Sequence, residues 1–142
     1  MTGVTHMRAA VHPLSGVMLI AGYRIADGKI VTAYSTDYGA TLSAVSEVCL
    51  ADEAGFGLHY APDAQALWTL TVRAASWSAD AVYAADARVV DPADGKVYSC
   101  KSAVGPSATT PSADATHWEL ASANTISTYW STDNGQNWQL AA

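Results

Sequence analysis

Short runs that are rich in β-branched and aromatic residues recur along the chain, and turns containing Gly, Asp or Pro separate them. Two of the runs, KIVTAY at 29–34 and TISTYW at 125–130, share one layout. The only stretch near a helical pattern begins at Leu42, and we predict a strand over 42–50. The positions that match between the runs at 29–34 and 125–130 are Ile30 with Ile126, Thr32 with Thr128, and Tyr34 with Trp130. The pattern of short runs and turns therefore predicts an all-β fold.

The same turn follows both runs. It reads STDYGATL at 35–42 and STDNGQNW at 131–138, and the two copies lie 96 positions apart (131 − 35). An Asp placed two residues before a Gly favours a turn, because its carboxylate accepts backbone N–H bonds and Gly takes the positive φ. The repeated sequence predicts two hairpins of the same construction.

Both turns resemble the Asp-box, S-x-D-x-G-x-T-W, of sialidase-like β-propellers. The first copy has Leu42 where Trp is usual, and the second has Asn137 where Thr is usual. The resemblance implies propeller-blade-like antiparallel sheets. It also implies that the box stabilises a hairpin and does not contact substrate. The residues given this structural role are Ser35, Asp37, Gly39, Ser131, Asp133, Gly135 and Trp138.

The repeat extends upstream of the two boxes. Residues 11–20 resemble residues 60–69, with Pro13 matching Pro62 at an offset of 49 (62 − 13). Because the boxes are 96 positions apart, the second repeat carries 47 additional residues (96 − 49) between its strand and its box. Loops accept long insertions at small entropic cost. The sequence therefore predicts a discontinuous scaffold, 1–75 and 122–142, with an inserted unit at 76–121.

The inserted segment contains W-x5-Y-x2-D-x-R-V-V, then D-G-K-V-Y-S-C-K, P-S and W-E-L. This spacing resembles the chitin-binding modules of bacterial chitinases, carbohydrate-binding families 5 and 12. The resemblance implies a small inserted β domain, and Asp94-Gly95 predicts its hairpin turn. The matching residues are Trp77, Tyr83, Asp86, Val89, Gly95, Lys96, Tyr98, Lys101, Pro111, Ser112, Trp118 and Leu120.

In these modules exposed aromatic rings stack on sugar, and the resemblance points to four candidate sugar contacts. The Trp that often precedes the P-S pair is missing here, since no aromatic residue occurs from Val104 to Ser112. A unit of about 45 residues buries little surface, so its aromatic residues can equally form its core. The candidates are Tyr83, His117, Trp118 and Trp77.

Composition excludes some function classes. The formal charge is −6 and only seven Lys and Arg residues occur, so there is no basic patch for nucleic acid.

Cys49 and Cys100 fall in different parts of the predicted arrangement, and we expect two free, largely buried thiols. Neither cysteine has a His or Asp neighbour at metal-ligand spacing. We predict no metal site and no cofactor.

The apolar run near the start, Val17 to Ala21, is too short for a signal peptide or a membrane span. Surface-type modules without an export signal are typical of bacteriophage virion proteins, which are made in the host cytoplasm. Asp-box repeats and relatives of chitin-binding modules are common in phage tail and fibre proteins. The resemblances thus favour a virion protein with an adhesion role, binding a cell-surface or particulate glycan beside other virion proteins.

Two alternatives stay open. One is a purely structural virion protein that binds no sugar. The other is a sialidase-like glycosidase fragment, because Tyr23-Arg24-Ile25 is similar to the first arginine motif of sialidases, although Ala26 replaces its Pro. We favour the non-enzymatic protein.

The two boxes also predict self-association. They supply about two blades, and the strand edges that this leaves unpaired invite pairing with another chain. We expect a homo-oligomer and favour a trimer, because three copies provide six blades (3 × 2), the number found in sialidases.

Overall fold

The computed structural model describes residues 1–53, 55–61 and 67–141. Within them it contains strands, a 3₁₀ helix at Pro111–Ala113 and no α-helix, so the predicted all-β class is confirmed. The strands are β1 (Val4–Val11), β2 (Met18–Arg24), β3 (Lys29–Ser35), β4 (Ser46–Leu50), β5 (Phe56–Ala61), β6 (Leu67–Arg73), β7 (Ala75–Ser76), β8 (Arg88–Val90), β9 (Val97–Cys100), β10 (Trp118–Ser122), β11 (Ile126–Ser131) and β12 (Gln139–Leu140).

The strands form three four-stranded sheets. Sheet 1 has the order β1-β2-β3-β4, sheet 2 the order β5-β6-β11-β12, and sheet 3 the order β7-β8-β9-β10. All neighbours are antiparallel except β7 and β8. Sheets 1 and 2 therefore have the same strand order, and in both the repeated Ser-Thr-Asp turn joins the third strand to the fourth. The strand predicted over 42–50 begins only at Ser46.

Strand register corrects the predicted alignment of the repeats. Met18 pairs with Ser35 and Trp68 pairs with Ser131, so the second strands are offset by 50 (68 − 18). The first strands keep the predicted offset of 49, because Val11 and Tyr60 pair with Met18 and Trp68 (60 − 11). The connection in sheet 2 is therefore one residue longer, and the predicted match at Pro62 lies outside the described residues. A one-residue shift in the alignment of β2 with β6 matters, because it assigns each residue of the strand to the opposite face of the sheet.

Sheets 1 and 2 pack face to face around one core. Leu19 and Ile30 of sheet 1 are completely buried, and so is Leu70 of sheet 2, with Trp68 only 1% exposed. Along β6 the buried residues alternate with less buried ones, which is the period-2 pattern of a strand. In β3, by contrast, residues 30–33 are all buried, so this strand is covered on both faces. Burying one large aliphatic side chain contributes about 2 kcal/mol. The paired faces are thus the main source of stability for these two sheets.

Sheet 3 has its own smaller core, in which Val89, Cys100, Tyr83 and Trp118 are buried. Leu50 of sheet 1 packs against this cluster and joins the two units. The predicted hairpin is confirmed, because β8 pairs with β9 across a turn in which Gly95 has a φ of 72°. No helix in the described part of the chain has the length and apolarity needed to cross a membrane.

We expect sheet 3 to be removable. Arg73 pairs with Ile126, and the Ala74 N–H donates to the Thr125 carbonyl at 2.9 Å, so the chain leaves and re-enters sheet 2 at adjacent points. Replacing residues 75–124 by Asp-Gly, which favours a two-residue hairpin, should leave sheets 1 and 2 folded. Circular dichroism and thermal unfolding of the shortened chain would check this. A shortened chain that is soluble but unfolds without a cooperative transition would show that sheet 3 belongs to one common core.

Candidate ligand-binding site

A cavity of about 780 Å³ opens where the three sheets meet, and we call it the junction cavity. Strand β4, the loop before β8, and the end of the second Ser-Thr-Asp turn with β12 all contribute to its wall. Most of that wall is apolar, and polar groups are confined to a few positions. The lining residues are Asp27, Lys29, Val48, Cys49, Leu50, Val82, Tyr83, Ala84, Ala85, Asp86, Ala87, Arg88, Ala103, Tyr129, Trp138 and Leu140.

Cys49 and Tyr129 form a neutral polar pair in this wall. Their side chains share a hydrogen bond, and Arg88 lies near enough to both to affect them electrostatically. Burial raises the pKa of the Cys49 thiol to about 11. Burial also raises the pKa of Tyr129, and the neighbouring Cys49 raises it further. Both groups are therefore protonated at neutral pH, when they can exchange hydrogen bonds but carry no charge.

Arg88 is the unusual group of the cavity. It begins β8, and its Nε atom is buried with no hydrogen-bond partner in the part of the chain that the structure describes. Its side chain also lines a second, polar cavity of about 430 Å³, so it stands between the two. A buried donor without a partner costs about 1–3 kcal/mol. Such a group in a native structure needs an explanation, and an acceptor from outside the chain is one that would satisfy it.

Charged residues at the mouth are engaged with one another. Asp27 accepts from Arg24 at 2.6 Å, and Lys29 donates to Glu47 at 2.6 Å. Arg24 also pairs with Glu47. The hydrogen bond from Arg24 holds the pKa of Asp27 below its usual value. Asp86 adds a carboxylate to the cavity wall. Arg24, the arginine of the sialidase-like motif, is thus held by two carboxylates on the surface.

Two of the predicted sugar contacts belong to the core of sheet 3. Tyr83 is 5% exposed and Trp118 is 3% exposed, and their rings meet edge to face at 5.2 Å. The Tyr83 hydroxyl accepts from the Ser78 N–H at 2.7 Å. A buried ring cannot present its face to a pyranose, so the stacking role predicted for these two side chains needs correction. A small unit recruits its aromatic rings as core. Tyr83 does reach the junction cavity along one side.

The other two candidates reach the surface, but at opposite edges of sheet 3. Trp77 follows β7 and is half-buried, whereas His117 precedes β10. The His117 Nδ1 atom lies 2.8 Å from the Asp114 carboxylate, and this contact lowers the pKa of Asp114. β7 and β10 are the two edge strands of the sheet. The fold therefore does not bring Trp77 and His117 together as one platform.

The two Ser-Thr-Asp turns have the same hydrogen-bond network. In the first, the Ser35 hydroxyl donates to Asp37 at 2.7 Å and accepts from the Gly39 N–H at 2.7 Å. In the second, Ser131 does the same with Asp133 at 2.7 Å and Gly135 at 3.0 Å.

Each Asp in these turns also binds the residue four positions further on. Thr41 donates to Asp37 from its N–H at 2.8 Å and from its hydroxyl at 2.6 Å. These bonds, with those from Ser35, lower the pKa of Asp37 to about 2. Asn137 donates to Asp133 from its N–H at 2.9 Å and from its side-chain amide at 2.6 Å. Both carboxylates are thus occupied by donors of their own turns, and their chemistry is that of a scaffold.

Trp138 connects the second turn to the junction cavity. Its indole N–H lies 3.0 Å from the Thr32 hydroxyl and 3.0 Å from the Gly135 carbonyl, while its side chain forms part of the cavity wall. The sequence singled out Trp138 as structural and Tyr83 as a sugar contact. It gave no signal for Arg88, Cys49 or Tyr129, because their proximity arises from the packing of three sheets.

No protein-family model, curated protein or solved structure matches this chain. The described residues contain no group of three or more His, Cys, Asp or Glu that could hold a metal ion. The chemistry available in the junction cavity is therefore that of an apolar wall, a neutral hydrogen-bonding pair, an arginine whose Nε has no acceptor among the described residues, and charged groups at the mouth.

Proposed function

We propose that this chain is a non-enzymatic bacteriophage virion protein, of the tail, fibre or head-decoration type, that binds a glycan in the junction cavity. The observation that carries the proposal is the Arg88 guanidinium, whose buried Nε has no partner beside a largely apolar wall. Sugars have apolar faces and a rim of hydroxyls, so they suit a cavity with aromatic walls and a few convergent polar groups.

The chemistry of the cavity favours a sugar that carries an acidic group. Arg88 can donate charge-assisted bonds to a carboxylate, and such bonds are about twice as strong as neutral ones. The half-buried Trp138 offers aromatic surface beside it, the Tyr129 hydroxyl can exchange a hydrogen bond, and Lys29 adds a second cation at the mouth. The Asp27 and Asp86 carboxylates can accept from hydroxyls.

The architectural part of the proposal treats sheets 1 and 2 as propeller-blade-like repeats and sheet 3 as an inserted carbohydrate-binding-module-like unit. The equal strand order and the equal hydrogen-bond networks of the two turns support it. Sheet 3 is formed by the chain segment that lies between β6 and β11 in the sequence, and these two strands pair directly with each other. This supports the insertion. In this arrangement the sugar lies between the inserted unit and the scaffold. The assignment to a virion rests on the resemblance of the motifs to phage proteins.

A specific observation favours the structural alternative, in which the protein binds no sugar. Tyr83 and Trp118, which the resemblance to chitin-binding modules puts forward, are used as core. If the inserted unit has kept only its fold, the junction cavity is a packing gap between sheets.

Binding of acidic saccharides should depend on Arg88. We expect Arg88→Gln to weaken binding of an acidic oligosaccharide by about tenfold, the loss of one charge-assisted hydrogen bond. The measurement is an array of sialylated, uronic-acid-containing and neutral oligosaccharides, including chito-oligosaccharides, followed by titration calorimetry of the strongest hit. Lys96→Gln is the matched control, because it removes a positive charge from the exposed β8–β9 turn of the same sheet.

Three results would contradict parts of this proposal. An array that stays blank for a multivalent form of the protein would favour the structural alternative. Equal loss of affinity in Arg88→Gln and Lys96→Gln would place the sugar elsewhere. Turnover of a fluorogenic sialoside that is abolished by Arg24→Ala would show a glycosidase.

A further inference from the structure

The second cavity beside Arg88, of about 430 Å³, differs in chemistry from the junction cavity, and we call it the polar cavity. Its wall holds one guanidinium, three hydroxyls and one side-chain amide, and none of its described lining residues has a carboxylate side chain. The junction cavity, in contrast, is lined by Asp27 and Asp86. Of the two cavities that Arg88 lines, the polar cavity is therefore the one that suits an anion. Its polar groups belong to Arg88, Ser122, Asn124, Ser127 and Thr128.

The polar cavity exists because two paired strands differ in length. Strand β11 has six residues and β12 has two, which pair only with the end of β11. The Ala141 N–H adds one bond to the Thr128 carbonyl at 2.8 Å. The first part of β11, at Ile126 and Ser127, therefore has no strand partner on this side. The polar cavity lies along this part of β11, and Arg88 reaches it from sheet 3.

The hydrogen-bond donors of the polar cavity are unoccupied within the described part of the chain. The side chains of Asn124, Ser127 and Thr128 make no hydrogen bond there, and the Ser122 hydroxyl only accepts one, from the Asn124 N–H at 2.9 Å. Arg88 makes no ion pair or hydrogen bond with the described residues either, and Nε is its only buried nitrogen without a partner. The two terminal guanidinium nitrogens are therefore accessible, and every polar side chain in this wall is able to donate.

This set of donors matches a group that has a negative charge and two or more acceptor oxygens. A guanidinium can only donate, and its planar fork fits the oxygens of a carboxylate, sulfate or phosphate group in pairs. Hydroxyl and amide donors beside it supply bonds to the remaining oxygens. Such an anion would add acceptors at the one place where the described chain provides a cation and four neutral donors without a carboxylate.

We propose that the polar cavity is an anion subsite, which binds the acidic group of an extended ligand through Arg88 and the Ser127 and Thr128 hydroxyls. The rest of the ligand lies in the junction cavity, and this second part rests on the glycan binding proposed above. Arg88 and Leu140 line both cavities, so the two cavities are neighbours. The placement also separates the acidic group from the carboxylates of the junction cavity, which would repel it.

Titration of the full chain with sodium sulfate, followed by NMR at constant ionic strength, tests the anion subsite without any sugar. Sulfate should bind saturably and shift the backbone signals of Ser127 and Thr128. We expect Arg88→Gln to weaken this binding by about tenfold, and Ser127→Ala and Thr128→Val by about threefold each, the loss of a charge-assisted and of an ordinary hydrogen bond.

Two variants serve as matched controls for the sulfate titration. Lys96→Gln removes a positive charge from the exposed β8–β9 turn, and Thr109→Val removes a hydroxyl from an exposed loop of sheet 3. Both should bind sulfate as the wild-type chain does. Circular dichroism verifies that every variant is folded.

A competition experiment identifies the source of the anion. If the acidic group belongs to the glycan, sulfate should compete with an acidic oligosaccharide for the wild-type chain, and Ser127→Ala should weaken binding of both. Sulfate and the acidic oligosaccharide that bind together without competition would overturn the extended ligand and assign the subsite to a free anion.

The anion subsite and the proposed glycan binding fail in different ways. Sulfate binding with a blank oligosaccharide array would reject the glycan and retain the anion subsite. No saturable sulfate binding, or binding that neither Ser127→Ala nor Thr128→Val weakens, would overturn the anion subsite even when the array is positive.

Discussion

Replacing Gly135 by alanine is expected to lower the free energy of unfolding by about 3 kcal/mol. Gly135 has a φ of 74°, which costs an L-residue about 1–2 kcal/mol. A Cβ atom at this position would lie 2.7 Å from a terminal methyl of Leu19, and because Leu19 is completely buried, moving it would disturb the packing around it. Forcing an extra carbon into a packed interface costs about 1–3 kcal/mol. Urea denaturation at a fixed protein concentration measures the combined loss in the free energy of unfolding.

Gly95→Ala separates the conformational cost of the positive φ from the steric cost of the added carbon. Gly95 has nearly the same φ, 72°, and an added Cβ would meet nothing within 4 Å. This variant should lose only the conformational part, about 1 kcal/mol. If both variants lose the same amount, the tight contact between the second turn and sheet 1 makes no contribution, and the packing described for the two sheets is contradicted.

Asp91→Asn is expected to lower the free energy of unfolding by about 3 kcal/mol. Asp91 is completely buried, and its two oxygens accept from the Ala93 N–H and the Ser112 N–H, each at 2.6 Å. It therefore ties the β8–β9 turn to the 3₁₀ helix. An asparagine can satisfy only one donor and turns its own NH₂ toward the other, and losing a hydrogen bond to a buried charged group costs about 1.5–3 kcal/mol. Asp94→Asn, on the exposed part of the same turn, is the control and should cost much less than Asp91→Asn.

The pH dependence of this effect has a definite sign. Burial alone would raise the pKa of Asp91, but the hydrogen bonds from Ser112 and Ala93 outweigh it, and the pKa lies below its usual value of 3.8. A carboxyl group with a lowered folded-state pKa stabilises the fold fully above its unfolded-state pKa. That contribution is lost as the pH falls through the folded-state pKa. The difference in stability between wild type and Asp91→Asn should therefore narrow below pH 3.8. A difference in stability between wild type and Asp91→Asn that stays constant or widens on acidification would contradict this account.

Local pattern was sufficient to predict the hairpins. The order Ser, Asp, Gly fixes a turn through bonds that reach no further than four residues, so its network could be expected from eight letters of sequence at 35–42 and at 131–138. The β8–β9 hairpin around Gly95 was predictable for the same reason. Strand register was harder to predict from the sequence. One additional residue in the connection before Leu67 shifts the alignment of β6, and sequence similarity alone did not reveal it.

The candidate site depended on information that local pattern does not contain. A motif shared with sugar-binding modules marks Tyr83 and Trp118, but burial decides whether a ring faces a ligand or a core. Arg88, Cys49 and Tyr129 come from three different sheets, and their proximity follows from how those sheets pack. Arg88 precedes two valines in a short strand, where nothing in the sequence distinguishes an arginine at a cavity from one in solvent.

The connectivity of sheet 2 has a consequence for how the chain folds. Strands β2 and β3 are joined across four residues (29 − 24 − 1), whereas β6 and β11 must find each other across 52 (126 − 73 − 1). Loop closure makes the second pairing costlier by about 2 kcal/mol if the intervening chain is unstructured. Sheet 1 can therefore assemble early, while sheet 2 assembles fastest after sheet 3 has formed and brought Ala74 and Thr125 together. During that interval the inner face of sheet 1 is uncovered, and this is the period in which the nascent protein is most prone to aggregate.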